Sequence, residues 1–218
     1  MTWAAASPAA VLAHRTGPWK AALAIALAVA IAAAVLMLRD RANRADALPV
    51  LAGVGGDFEL AGAAGARVRL HDLRGRVVLL FFGYTHCPDV CPTTLLALKQ
   101  ARERLGSSAA GAQVVMISVD PQRDPPDQLA QYVRFFDPSF IGLSGTPDEI
   151  DQVAAQYHVF HRRRETASPA QYSVSHSGHI YALDRSGRVR ALLGAAATPA
   201  EISDAMRQLL HEPARPAS

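Results

Sequence analysis

Val77-Val78-Leu79-Leu80-Phe81-Phe82-Gly83-Tyr84-Thr85-His86-Cys87-Pro88-Asp89-Val90-Cys91-Pro92 leads from a wholly apolar segment directly into two thiols. A continuous apolar run after Leu73-Arg74-Gly75-Arg76 is what a strand covered on both faces requires. Pro92 is excluded from a helix interior but fits a first turn. The stretch therefore predicts a buried strand over 77–82, a loop holding Cys87, and a helix beginning close to Cys91. Leu95, Leu98 and Leu105 continue at helical spacing, and Gly106 is the stop. Cys87 and Cys91 are the only cysteines among 218 residues. Sulfurs near the positive end of a helix dipole are favoured as thiolates. Such a pair is either a soft-metal site or a redox dithiol.

Outward from this stretch, strand and helix patterns alternate. Val68 to Leu70 reads as a short strand, Val114 to Val119 as a second buried strand, Asp127 to Phe136 as a helix and Phe140 to Leu143 as a strand. Pro147 to Tyr157 is a helix with Thr146 as N-cap and Glu149 at the third position, a capping box. Tyr172 to Val174, Ile180 to Leu183 and Val189 to Leu192 read as strands, with Arg185-Ser186-Gly187 turning between the last two. Thr198-Pro199-Ala200-Glu201 repeats the box and opens a final helix to about Leu210. Parallel strands with crossover helices, followed by an antiparallel hairpin, predict an α/β sandwich around a central mixed sheet. Thioredoxin-like folds have this arrangement, with the cysteine motif at the end of the first central strand.

Before this domain lies an unbroken apolar run, Ala21 to Leu38, without charge, Pro or Gly. At about 1.5 Å per residue it spans roughly 27 Å, enough for a bilayer core. Trp19 stands at one end as an interfacial anchor would. A cleavable signal peptide has a shorter apolar core, so a retained signal anchor is expected. The organisation expected is a short tail at 1–18, a transmembrane anchor at 19–38, a linker at 39–56, the folded domain at 57–211 and a disordered tail at 212–218. Lys and Arg flanking the run mildly favour the opposite topology, but long domains translocate largely regardless of charge, and the chemistry below places the domain outside. The net charge is +3, with one dense basic run, Arg162-Arg163-Arg164, expected as a solvated loop. No motif for nucleic-acid recognition is present.

The Cys-x₃-Cys spacing is one residue wider than that of dithiol oxidoreductases and leaves room for a metal between the sulfurs. Two thiolates alone leave most metals undercoordinated, so a histidine is expected as third ligand. Soft thiolates with imidazole suit Cu(I), Cu(II) or Zn, although a structural zinc site needs four closed ligands. His176, just before the hairpin strand, lies on the loop that faces the cysteines in such a fold. His179 sits nearer the rim, and His86 adjoins Cys87 but neighbouring side chains seldom point the same way. Asp89 reads as a helix cap or a hydrogen-bonding group beside the metal. Asp120, ending the 114–119 strand before Pro121, either orients the cysteine loop or starts a turn.

Gly83-Tyr84-Thr85-His86-Cys87-Pro88-Asp89-Val90-Cys91-Pro92-Thr93-Thr94 resembles the signature of the Sco/SenC proteins. Ser118-Val119-Asp120-Pro121 with Arg123-Asp124, Phe140-Ile141-Gly142-Leu143 with Gly145-Thr146, and Tyr172-x-Val174-x-His176-Ser177 resemble that family's further blocks. The resemblance runs in order over about residues 57–210. It implies a thioredoxin-like domain tethered by one transmembrane helix and facing the periplasm, or the mitochondrial intermembrane space. It implies copper on Cys87, Cys91 and His176, a periplasmic copper donor, and a role in assembling the binuclear copper centre of cytochrome c oxidase. Ser175 stands where the family often has an acidic residue. The competing expectation is a thiol-disulfide reductase that keeps the oxidase's copper-site cysteines reduced, needing Cys87 and Cys91 but not His176.

Overall fold

The computed structural model describes residues 18–45, 47–165 and 172–212, so nearly all of the expected tails at 1–18 and 212–218 lies outside the described residues. The chain divides into two units, at residues 46 and 47.

The first unit is one helix, α1 (Pro18–Ala45). Its described side chains between 22 and 38 are apolar and exposed all round. Among the described residues no helix is long and apolar enough to cross a membrane.

The second unit is built on a five-stranded sheet. Its strands are β3 (Val77–Gly83), β4 (Ala112–Ser118), β5 (Ile141–Leu143), β8 (Ile180–Leu183) and β9 (Val189–Leu193). They lie in the order β5-β4-β3-β8-β9. β3 pairs parallel with β4, and β4 with β5; β8 runs antiparallel to both β3 and β9, so the sheet is mixed. Every residue of β3 and β4 is buried, as the continuous apolar run of β3 requires of a strand covered on both faces. Each Leu or Phe so buried contributes roughly 1.5–3 kcal/mol. Alternation sends Phe82 to one face, against Tyr157 and Tyr181 at ring-centroid distances of 5.6 and 5.8 Å. Phe81 and Gly83 are placed by position one residue to either side of it, so their Cβ directions point to the other face.

Helices α2 (Val90–Leu105), α3 (Pro126–Phe136), α4 (Pro147–Gln156) and α5 (Pro199–His211) form as their local signals require. Both expected capping boxes are made, Thr146 with Glu149 and Thr198 with Glu201. α2 and α5 pack on each other, and α3 packs along β5.

Two small ribbons complete the unit: β1 (Glu59–Ala61) with β2 (Arg67–Arg69), and β6 (His161–Glu165) with β7 (Tyr172–His176). The second ribbon corrects the sequence reading, because Arg162-Arg163-Arg164 is strand rather than solvated loop. β7 supplies a pairing partner over five positions, from His161↔His176 to Glu165↔Tyr172. Part of the expected linker is bound as well. Leu51 donates to the Val189 carbonyl at 2.9 Å and Gly55 to that of Gln156 at 2.8 Å. Arg190, only 2 % exposed, pairs with Asp184 at 2.9 Å and Glu212 at 2.7 Å, and donates to the Leu48 carbonyl. The Leu48 amide in turn donates to Glu212 at 3.1 Å. One buried guanidinium thus joins both ends of the folded unit.

Candidate metal centre

The site sits where β3 ends. The chain leaves the sheet at Gly83, turns through a hydrogen bond from the Cys87 amide to the Tyr84 carbonyl at 3.2 Å, and enters α2 at Val90. Cys91 occupies the first turn and is fully buried; Cys87, on the loop, is half-buried, and both are free thiols. Gly83 is required there, since a Cβ at that position would lie 2.8 Å from the Cys91 sulfur.

His176 arrives from the other direction, as the last residue of β7. Its Nε2 lies 3.6 Å from Cys91 Sγ. Its Nδ1 lies 3.1 Å from the Ser177 carbonyl. A proton on Nδ1, donated to that carbonyl, leaves the Nε2 lone pair facing the sulfurs. Tyr84 and Phe81 meet the imidazole edge to face, with centroids 5.7 and 6.4 Å away. The ligand atoms of Cys87, Cys91 and His176 all lie within 4.8 Å of one another, and among the described residues this is the only such cluster of metal-binding side chains.

The thiols are unequal. The Cys91 S–H donating to Cys87 holds the Cys87 pKa down at about 3 against the effect of burial, with further help from the backbone amides of Cys91 and Asp89. Cys91 is pushed upward, first by that same hydrogen bond and then by burial. The pair therefore carries one thiolate on the half-exposed sulfur and one proton on the buried one. Soft sulfur with an imidazole nitrogen is a donor set that suits copper.

The surrounding acids take separate roles. Asp89 stands at the N-cap position but makes no side-chain capping bond. Asp120 starts the expected turn, its carbonyl accepting from the Arg123 amide at 3.1 Å, and its carboxylate accepts from the Tyr172 hydroxyl at 2.7 Å and Arg123 Nε at 2.5 Å, so it also holds the β6–β7 ribbon. The acid that orients the cysteine loop is Asp124, which is fully buried. It accepts from the Thr85 amide at 2.9 Å, the Thr85 hydroxyl at 2.5 Å and the Ser118 hydroxyl at 2.6 Å. Its signal was the polar cluster following Ser118, but Asp120 and Asp124 are equivalent as letters. The Tyr84 hydroxyl accepts from the Val174 amide at 3.3 Å, which ties the histidine strand to the cysteine loop. The other histidines lie apart: His179 is exposed, His158 bonds the Gly53 carbonyl and His161 pairs with Asp151.

Comparison with known proteins agrees with this geometry. The SCO1/SenC family model matches residues 48–211. The human mitochondrial SCO2 homolog is 35% identical over 168 residues, 76% of this chain and 63% of that protein. The Arabidopsis thaliana mitochondrial SCO1 homolog 1 is 41% identical over 131 residues, 60% of this chain and 39% of that protein. The chain thus spans less than two thirds of the length of these relatives. The solved structure of Bradyrhizobium japonicum ScoI with copper bound is 38% identical, superposes with a TM-score of 0.66, and covers 72% of this chain and 99% of that one. The thioredoxin-like sandwich with a central mixed sheet is therefore the fold of the second unit, and the chain belongs to the SCO1/SenC family.

Proposed function

We propose that this chain is a copper chaperone, anchored by α1 in the bacterial inner membrane with its folded unit in the periplasm. It takes copper from a periplasmic donor and delivers it to the copper-centre subunit of cytochrome c oxidase. Cys87, Cys91 and His176 are its ligands. The observation that carries the reading is the convergence of two sulfurs and a lone-pair nitrogen within 4.8 Å, from elements far apart in the chain. Family membership and the copper-bound homologue support the choice of metal. The exposed apolar run of α1 is what supports the anchor, since an apolar surface of that extent marks a protein or membrane interaction site.

Copper is cargo here. The half-exposed Cys87 thiolate meets it first; Cys91 gives up its proton as the second sulfur joins, and Nε2 of His176 completes a three-coordinate site. Three ligands without a fourth among the described residues leave an open side for exchange with a receiving thiol. Near-stoichiometric copper is expected on the reduced protein and is lost in Cys87→Ser, Cys91→Ser and His176→Ala alike, as read by metal analysis after desalting. Wild-type copper affinity in His176→Ala would falsify the three-ligand site. Carbonate extraction of membranes tests the anchor: the full chain stays with the pellet, and release into the supernatant refutes it.

A reductase reading has one observation in its favour, the low-pKa Cys87 thiolate beside a second free thiol. The two readings separate on oxidase assembly in cells. Equal loss in His176→Ala and Cys87→Ser indicates copper delivery, and survival of the histidine variant indicates reduction.

A further inference from the structure

His176 differs from the two cysteines in how it is held. The β6–β7 ribbon that carries it is a separate two-stranded sheet, with no ladder to the central one. A two-stranded ribbon is marginal on its own and needs anchors outside itself. Tyr172, Val174 and His176 alternate onto one face of β7. At one end of that face the imidazole meets the sulfurs. In the middle the Val174 amide donates to the Tyr84 hydroxyl at 3.3 Å. At the other end Tyr172 meets the turn that follows β4.

The anchoring at Tyr172 converges on Arg123. Arg123 Nε donates to Asp120 at 2.5 Å and its Nη1 to the Tyr172 carbonyl at 2.9 Å. The same guanidinium lies 3.6 Å from the Tyr172 ring centroid, and the Tyr172 hydroxyl donates to Asp120 at 2.7 Å. Arg163, from β6, lies 3.7 Å from that centroid. Two guanidiniums so close to one ring must take opposite faces, so the ring is clasped between them. Arg123 also lies 5.7 Å from the Tyr84 ring, the ring that meets the His176 imidazole edge to face.

Closing the turn does not require this side chain. The Asp120 carbonyl already accepts from the backbone amides of Arg123 and Asp124 at 3.1 and 3.0 Å. The guanidinium instead reaches out of the turn to β7. The next residue, Asp124, reaches from the same turn to Thr85 of the cysteine loop. Adjacent residues of one turn thus hold the two halves of the metal centre, Asp124 the thiol loop and Arg123 the histidine strand.

We infer that Arg123 is the positioning residue for His176: by fixing Tyr172, and by packing on Tyr84, it sets the imidazole where Nε2 joins a metal held by the two sulfurs. This rests on the three-ligand copper reading. A lysine ammonium lacks the planar fork that lies flat on the Tyr172 ring while bonding a carboxylate and a carbonyl, so Lys restores the function only in part.

The test is a double-mutant cycle in the full chain in nanodiscs, with Cu(I) affinity read by competition with a chromophoric chelator. Arg123→Gln lowers affinity about tenfold while His176 is present. In the His176→Ala background the same substitution leaves affinity unchanged, because Arg123 acts through the imidazole. X-ray absorption of copper-loaded Arg123→Gln shows both sulfurs retained and the imidazole signal weakened, and Arg123→Lys falls between Gln and wild type. A merely structural role predicts the same loss in both backgrounds, and that result overturns the inference. Wild-type affinity with an intact imidazole signal in Arg123→Gln also overturns it. Arg123→Lys carries the same cycle if Arg123→Gln fails to fold. His176→Ala is measured first: wild-type affinity there shows that the three-ligand reading has failed, before Arg123 is changed at all.

Discussion

Two buried carboxylates at opposite ends of the central sheet hold the chain in different ways. Asp184 follows β8 at the end where Val78 pairs with Leu183. It is met by Arg190 and Arg188, each at 2.9 Å, and by Ser186. Asp124 lies at the other end, under the cysteine loop, and its three short hydrogen bonds come from neutral donors, Thr85 and Ser118. The cationic network ties together the start and the end of the folded unit. The neutral one positions a loop whose own charge is a thiolate. A guanidinium at Asp124 would compete with the incoming metal for the sulfur's charge; hydrogen-bond donors set the loop geometry without that competition.

The comparison can be broken most severely at Arg190. Arg190→Ala leaves Asp184 and Glu212 without their shared cation and is expected to cost about 3–5 kcal/mol in denaturant unfolding, while the protein that remains folded still binds copper one to one. At the other end the ordering reverses. Asp124→Asn weakens charge-assisted bonds at a cost of about 1.5–3 kcal/mol, and copper affinity falls roughly 10–100-fold, as measured by competition with a Cu(I) chelator. Equal copper affinity in Asp124→Asn and wild type would remove Asp124 from the support of the site.

Acid sharpens the contrast further. Burial pushes the Asp184 carboxyl up, but hydrogen bonds from Ser186, Arg190 and Arg188 outweigh it and bring the pKa to about 2, below the ordinary 3.8. Because the folded value is the lower one, the stabilisation is fully present above about pH 4 and is lost as pH falls toward 2. It amounts to on the order of 2 kcal/mol. Stability curves of wild type and Asp184→Asn should therefore stand a constant distance apart above pH 4 and close up as pH falls from 4 toward 2; curves that stay parallel across that window would contradict the role given to Asp184. The smallest effect belongs to Asp89→Ala. With no capping bond to lose, it should change stability by less than about 0.5 kcal/mol.

The elements that were legible in the sequence are those whose cause is local. The apolar run of β3, the proline in the first turn of α2 and the two capping boxes each act within a few residues, and each appears where the pattern placed it. β6 was not legible. A strand reading His161-Arg162-Arg163-Arg164-Glu165 has no apolar alternation to announce it and exists because β7 offers it backbone partners. Asp124 and Asp120 were distinguishable only by depth and direction. Arg190 and Glu212 carry no motif, and their pairing spans 22 residues.

By itself, then, the sequence determined the kind of chemistry: two soft sulfurs at a strand-to-helix turn, a histidine ahead of a hairpin, and an apolar run before the domain. These follow from residue type and short spacing. The tertiary structure alone decided which histidine reaches the sulfurs and which carboxylate supports their loop. Cys91 and His176 are 85 positions apart in the chain and 3.6 Å apart in space, and that approach depends on how β7 is anchored through Tyr84 and Tyr172, a matter of packing between distant segments.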